Sequence, residues 1–216
     1  MTLLVLMYHR ARAGRHGNHA SMLDAHFAHL AAHHANVLPG EPLVPGRLNI
    51  CLSFDDAFYD FYAIALPLLR RHGLRALLAV PPGLIRERVQ ATREERLNAG
   101  TRYSLEHPSL GAFCTWEELR EATRSGHVQI AAHGYTHQAL DEPTADAGLE
   151  IDTPQTVLAS RLGQPVESFV FPYGRFSRPT LDSARRRYRY LFRIGNALNQ
   201  GWEGRSEEHT SELQSH

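Results

Sequence analysis

The stretch CLSFDDAFYDFY, Cys51 to Tyr62, sets two carboxylates, Asp55 and Asp56, side by side at the end of an apolar run that reads as a buried strand. Charge placed there loses hydration and has to regain it from a cation, a metal or hydrogen bonds. A second stretch, AAHGYTH, supplies His133 and His137, separated by three residues and hinged by Gly134. On a continuous helix that spacing would put both rings on one face. Here His133 ends an apolar run, so a loop has to bring His137 alongside. Two imidazoles and one carboxylate make a facial three-ligand site for a transition metal, with positions left open for water. A cation is therefore the expected partner of the Asp pair. The competing account is coincidence: the chain has 14 histidines, and an isolated pair at this spacing often means nothing.

The elements that must position these residues follow from hydrophobic periodicity. Strands are expected at Leu3–Tyr8, Ile50–Phe54, Arg75–Val80, Val128–Ala132, Ser168–Phe171 and Tyr190–Ile194. Helices are expected at Ser21–His34, Asp60–His72, Trp116–Ser125, Asp146–Leu162 and Arg178–Arg187, with Gly73 and Gly163 placed as left-handed caps. Strand and helix alternate, which predicts parallel strands covered by helices, with chemistry at the strands' carboxyl ends. The candidates obey that rule. Asp55 and Asp56 follow NICLSF, His133 follows HVQIAA, and Pro172 and Tyr173 follow ESFVF. His9, ending the first strand in MYHR, is a further candidate to line the pocket, with a structural hydrogen-bonding role as the alternative. The segment from Leu84 to Cys114, interrupted by Pro108, is too long for a simple connection and reads as an insertion near the mouth of the site.

Composition bounds the rest. The chain has 216 residues, 43% hydrophobic and 21% charged, with formal net charge +0, which suits one globular domain and argues against a nucleic-acid partner. Every basic residue is Arg, a sign of GC-rich coding more than of a binding surface, and the run RRRYRY from Arg185 to Tyr190 reads as a solvated helix face. Cys51 and Cys114 are too few for a disulfide framework. The opening MTLLVLMYH lacks the basic flank and length of a signal peptide, and no apolar run approaches membrane-spanning length, so the default expectation is a cytoplasmic protein. His26, His29 and His33 share a helical face, but Leu23, Phe27 and Leu30 mark that segment as an amphipathic covering helix. Oligomeric state is not legible.

Taken in order, VLMYHR, LSFDDAFYDFYAIALPLL, TWEEL before a Gly, IAAHGYTH, RLGQPVESFVFPYG and FRIG resemble the polysaccharide deacetylase family, carbohydrate esterase family four, with its nodulation-type deacetylase domain. The resemblance spans roughly Leu3 to Gly204. It implies an α/β fold, a distorted (β/α) barrel, and metal-dependent hydrolysis of N-acetyl groups on an N-acetylhexosamine glycan. It implies that Asp55 is the catalytic base and that Asp56, His133 and His137 bind a divalent metal. Zinc is expected, and an Asp-His-His set would also accept cobalt or manganese. It further implies that FPYG walls the acetyl pocket, with Pro172 fixing the turn and the Tyr173 backbone N–H stabilising the oxyanion. Two other readings use the same residues: an amidohydrolase acting on a small non-sugar amide, and an inactive glycan- or metal-binding pseudoenzyme.

The chain departs from the family pattern in four places. Ala57 stands where Gly usually follows the Asp pair, and Val170 stands where an Arg often braces the base. No fourth-motif Asp is evident, Asp182 reading as a surface residue. The motif with the general-acid His is absent up to Gly204. Beyond it, RSEEHTSELQSH, Arg205 to His216, back-translates onto a common sequencing-library adapter and reads as read-through. Without its one Arg and three Glu the formal charge moves from zero to +2. On that reading the catalytic domain covers residues 1–204 and is incomplete, the barrel lacks its last strands, and a sheet edge stays unpaired.

Overall fold

A computed structural model describes residues 1–14, 17–99, 107, 110–195 and 198–202, together with the backbone of 206–210. The elements run β1 (Thr2–Tyr8), α1 (Ala20–His33), β2 (Ala35–Asn36), β3 (Leu48–Phe54), α2 (Leu66–His72), β4 (Ala76–Val80), α3 (Arg93–Asn98), α4 (Trp116–Arg124), β5 (Val128–Ala132), α5 (Thr153–Leu162), β6 (Ser168–Val170), α6 (Arg178–Arg187), β7 (Tyr190–Ile194) and β8 (Ser206–Thr210). Every ladder between these strands is parallel. Because β1 pairs with both β3 and β8, the sheet curls into a distorted (β/α) barrel, with the short β2 lying beside the start of β3.

One expectation is corrected here. The edge expected to stay open after β7 is covered: β8 sits between β7, with Phe192 opposite Ser206, and β1, with Val5 opposite Glu208. Two parallel edges facing one gap offer rows of unpaired N–H and C=O groups. An extended backbone of almost any composition can satisfy them.

Period-two alternation sorts the strand residues into two layers. Leu3, Val5, Cys51, Leu77, Ala79, Ala131, Val170 and Phe192 fill the barrel interior. Ile50, Leu52, Phe54, Leu78, Val80, Ile130, Ala132 and Phe169 face outward, where they pack under helices through Phe27, Leu69, Leu119, Leu158 and Leu181. Continuing the inward parity past the strand ends leads from Leu3, Val5 and Met7 to His9, from Cys51 and Ser53 to Asp55, and from Ala131 to His133. The same alternation that fills the core thus aims three polar side chains into the rim of the barrel.

Local signals set the helix bounds. Thr115 and Glu118 form a capping box on α4, and Ser177 with Thr180 does the same on α6, the two together satisfying backbone donors that would otherwise be orphaned. Gly73 and Gly163 end α2 and α5 at φ 64° and 68°, the left-handed caps expected of them. Two helices do not begin as continuous α-helices. α2 is preceded by a π-turn over Phe61–Ala65, and α5 by one over Gly148–Asp152. The reason is shared: Pro67 and Pro154 lie just inside these helices and cannot donate the bond an α-turn needs, so the preceding turn closes one residue wider. Within the expected insertion, α3 is held down by buried Arg96, which donates to the carbonyls of Gly111 and Phe113 and pairs with Glu118 at 2.8 Å. Pro108 lies outside the described residues. No helix among those described is long and apolar enough to cross a membrane.

Candidate metal centre and catalytic site

Asp55 and Asp56 leave the end of β3, and His133 leaves the end of β5. Parallel strands put all three at the same rim. The turn after β3 is left-handed at both Asp56 (φ 71°) and Ala57 (φ 54°), which explains why a glycine is expected after the pair; non-glycine residues held this way cost about 1–3 kcal/mol each. The turn is retained because its neighbours over-determine it. Asp55 N–H donates to the Tyr8 carbonyl at 2.9 Å, and the Ala57 carbonyl accepts from Cys114 N–H at 2.8 Å.

Asp56 Oδ1 lies 2.9 Å from His137 Nε2 and 3.4 Å from His133 Nε2. One ligand atom from each of the three residues falls within 4.8 Å of the others, and all three side chains are buried. Among the described residues this is the only such group of three or more. The tautomers suit a cation. The Val170 carbonyl can only accept, so His133 Nδ1 at 2.8 Å carries the proton, and the Nε2 lone pair faces Asp56. His137 turns its Nδ1 to the Tyr173 hydroxyl at 3.1 Å, again leaving Nε2 inward. Asp56 Oδ1 is buried, and the polar atoms facing it are these two Nε2 atoms. Two imidazole Nε2 atoms and a carboxylate oxygen converging on one point make a donor set that a divalent cation can satisfy.

The electrostatics agree. Burial pushes the Asp56 carboxyl up, but charge and N–H donation from the two imidazoles outweigh it and hold the group well below the ordinary carboxylate range, a role that a cation would take over where both rings are neutral. Burial lowers the His133 imidazole, against the raising effect of Asp56, and so favours the neutral ring that a metal requires. Asp55 is buried beside this centre, and its Oδ2 lies 3.9 Å from Nε2 of His9, whose side chain is 22% exposed. His9 therefore stands beside the Asp55 carboxylate. Pro172 and Tyr173 form a tight turn after β6, with Tyr173 left-handed at φ 58° and its ring half exposed.

The sequence model of the polysaccharide deacetylase family matches residues 45–190. This chain belongs to that family. Its fold matches those of solved polysaccharide deacetylase relatives. IcaB from Ammonifex degensii is 19% identical at a TM-score of 0.76, over 97% of this chain and 91% of the other. A de-N-acetylase from Aggregatibacter actinomycetemcomitans is 18% identical at a TM-score of 0.76, over 97% and 94%. The Streptococcus pyogenes deacetylase PplD, solved with acetate, is 18% identical at a TM-score of 0.76, over 97% and 91%. No curated protein sequence matches. At these identities the likeness concerns the barrel.

Other residues of this family member can be set against the sequence reading. Asp182 is on the surface, paired with Arg178 at 2.9 Å and Arg185 at 3.5 Å. Leu23, Phe27 and Leu30 are buried under α1 and His29 and His33 ride its outer side, but His26, expected on the same face, turns inward to the Tyr8 hydroxyl at 3.0 Å. Two features were not legible. The Tyr173 side chain, and not only its backbone, meets the site through His137. Glu150 is 1% exposed and accepts hydrogen bonds from the loop between the two histidines. A single Glu in a helical segment carries no signal of that kind.

Proposed function

We propose that this chain hydrolyses N-acetyl groups from an N-acetylhexosamine-containing polysaccharide or oligosaccharide, using a divalent metal, zinc by preference, held by Asp56, His133 and His137. The observation that carries the reading is the convergence of those three ligand atoms within 4.8 Å directly beside a second, non-ligating carboxylate, Asp55. One carboxylate binds and its neighbour works as a base. A cation bound there supplies Lewis-acid polarisation of the acetyl carbonyl and lowers the pKa of water. Asp55 takes a proton from the attacking water. The Tyr173 backbone N–H, preset by Pro172, donates to the oxygen as it becomes an oxyanion. His9, 3.9 Å from Asp55 and partly exposed at the rim, lines the pocket; the proton taken by Asp55 passes to the amine as the C–N bond breaks, so that water and amide give acetate and a free amino sugar.

Zinc-loaded protein incubated with an N-acetylglucosamine oligomer should release acetate, with matching mass loss from the oligomer. Turnover confined to small non-sugar amides would favour the amidohydrolase reading, and stoichiometric metal without turnover of either would favour a binding protein.

A further inference from the structure

The two histidine ligands sit at either end of a five-residue loop that has to reverse direction between them. Gly134 (φ 70°) and His137 (φ 65°) are both left-handed, and the backbone N–H groups of Tyr135 and Thr136 consequently point the same way. Successive N–H groups so arranged form a concavity for an anion. The anion present is the carboxylate of Glu150. Its Oε2 accepts from Tyr135 N–H at 2.8 Å and from Thr136 N–H at 3.1 Å, and its Oε1 accepts from the Thr136 hydroxyl at 2.6 Å. The fit leaves no slack: a Cβ on Gly134 would lie 2.9 Å from Glu150 Oε2 and 3.2 Å from Pro172 Cγ.

Glu150 is itself held in place. It lies in the π-turn ahead of α5, where Asp146 accepts from Gly148 N–H at 2.8 Å through Oδ1 and from Glu150 N–H at 2.8 Å through its carbonyl. The next residue, Ile151, is fully buried, and its carbonyl accepts from the Tyr188 hydroxyl at 2.7 Å. A carboxylate on a braced turn thus grips the loop that must bring His137 back to His133.

We infer that Glu150 is a positioning residue for the metal centre: it presets the loop so that both imidazoles reach the cation without reorganisation. The inference rests on the metal reading above. A buried carboxylate taking three donors is a demanding arrangement, and neither barrel packing nor helix capping requires it at this spot. Gln is an imperfect substitute: with its oxygen on the two N–H groups its NH2 meets the Thr136 hydroxyl, which can turn to accept, but the negative charge that the two N–H groups gather around is lost.

The test uses the whole 216-residue chain, freed of metal, and four variants: E150Q, E150A, T136V and T136S. Zinc affinity is measured by competition with a chelator, the cobalt(II) visible spectrum reports coordination geometry, and thermal unfolding is followed without metal. E150Q should weaken zinc binding by roughly 10–100-fold, the usual scale for a group that orients ligands from behind, and should alter the cobalt spectrum. T136V should show a smaller loss in the same direction, and T136S, which keeps the hydroxyl, should restore wild-type affinity. Thr136 is exposed, so its variants fold whatever happens to Glu150. If E150Q and T136V bind zinc as tightly as wild type with an unchanged cobalt spectrum, whatever their melting temperatures, Glu150 only stabilises the fold and the inference is overturned. If wild type itself takes up no metal, it is the metal reading that fails.

Discussion

The carbonyl of Val170, at the end of β6, accepts a hydrogen bond from His133 Nδ1 at 2.8 Å. The position at which the family often carries a bracing Arg thus contributes a backbone oxygen here, and that oxygen sets the tautomer of the proposed ligand His133 on the neighbouring strand. With Nδ1 protonated, His133 has one lone pair, and it points at Asp56. Replacing His133 or His137 by Ala should leave two ligands and abolish most metal retention. Metal content by mass spectrometry after gel filtration is the check, and one ion per chain in both variants would remove these residues from the ligand set.

Asp55→Asn should separate binding from chemistry. The amide keeps the size of the carboxylate and leaves Asp56, His133 and His137 untouched, so zinc should remain at one per chain. Turnover should fall by about 100-fold or more, the usual contribution of a general base. Undiminished acetate release would give Asp55 a structural role instead.

A pH dependence of stability follows from His26. Its Nδ1 meets the Tyr8 hydroxyl at 3.0 Å on the inner side of α1, and burial, with repulsion from His29 second, lowers its pKa below the ordinary imidazole value of about 6.5. A lowered folded-state pKa means that the unfolded chain protonates first. The stabilising contribution is therefore complete above about 6.5 and is lost as pH falls toward and through the folded value. Melting temperatures of wild type and H26Q between pH 8 and about pH 5 should diverge least at the acid end, because the substituted chain has no imidazole to charge. Parallel curves would show that His26 does not titrate differently on folding.

Removing residues 206–216 should expose the edges of β1 and β7 together, since β8 pairs with both. Exposed parallel edges template intermolecular pairing. The shortened chain should elute as aggregates in gel filtration where the full chain does not. A monomeric, equally stable product would mean that β8 contributes nothing to closure.

Much of this protein could be read from its residues alone. Val128–Ala132, Tyr190–Ile194 and Arg178–Arg187 have the expected bounds, because apolar alternation, caps and prolines act over a few neighbouring residues and leave their mark in order along the chain. The site candidates were legible for the same reason. Asp55, Asp56, His9 and His133 each follow a strand, and parallel strands bring their carboxyl ends to one rim. The tertiary structure decided what depends on groups far apart in sequence. The Tyr173 hydroxyl meets His137 across 36 residues and the Val170 carbonyl meets His133 across 37, while Glu150 reaches Thr136 only because a π-turn forced by Pro154 sets it over the loop. The strand that fills the gap between β1 and β7 was equally invisible, since a parallel ladder is made by backbone groups that every residue except proline carries, and side-chain pattern does not announce which segment will supply them.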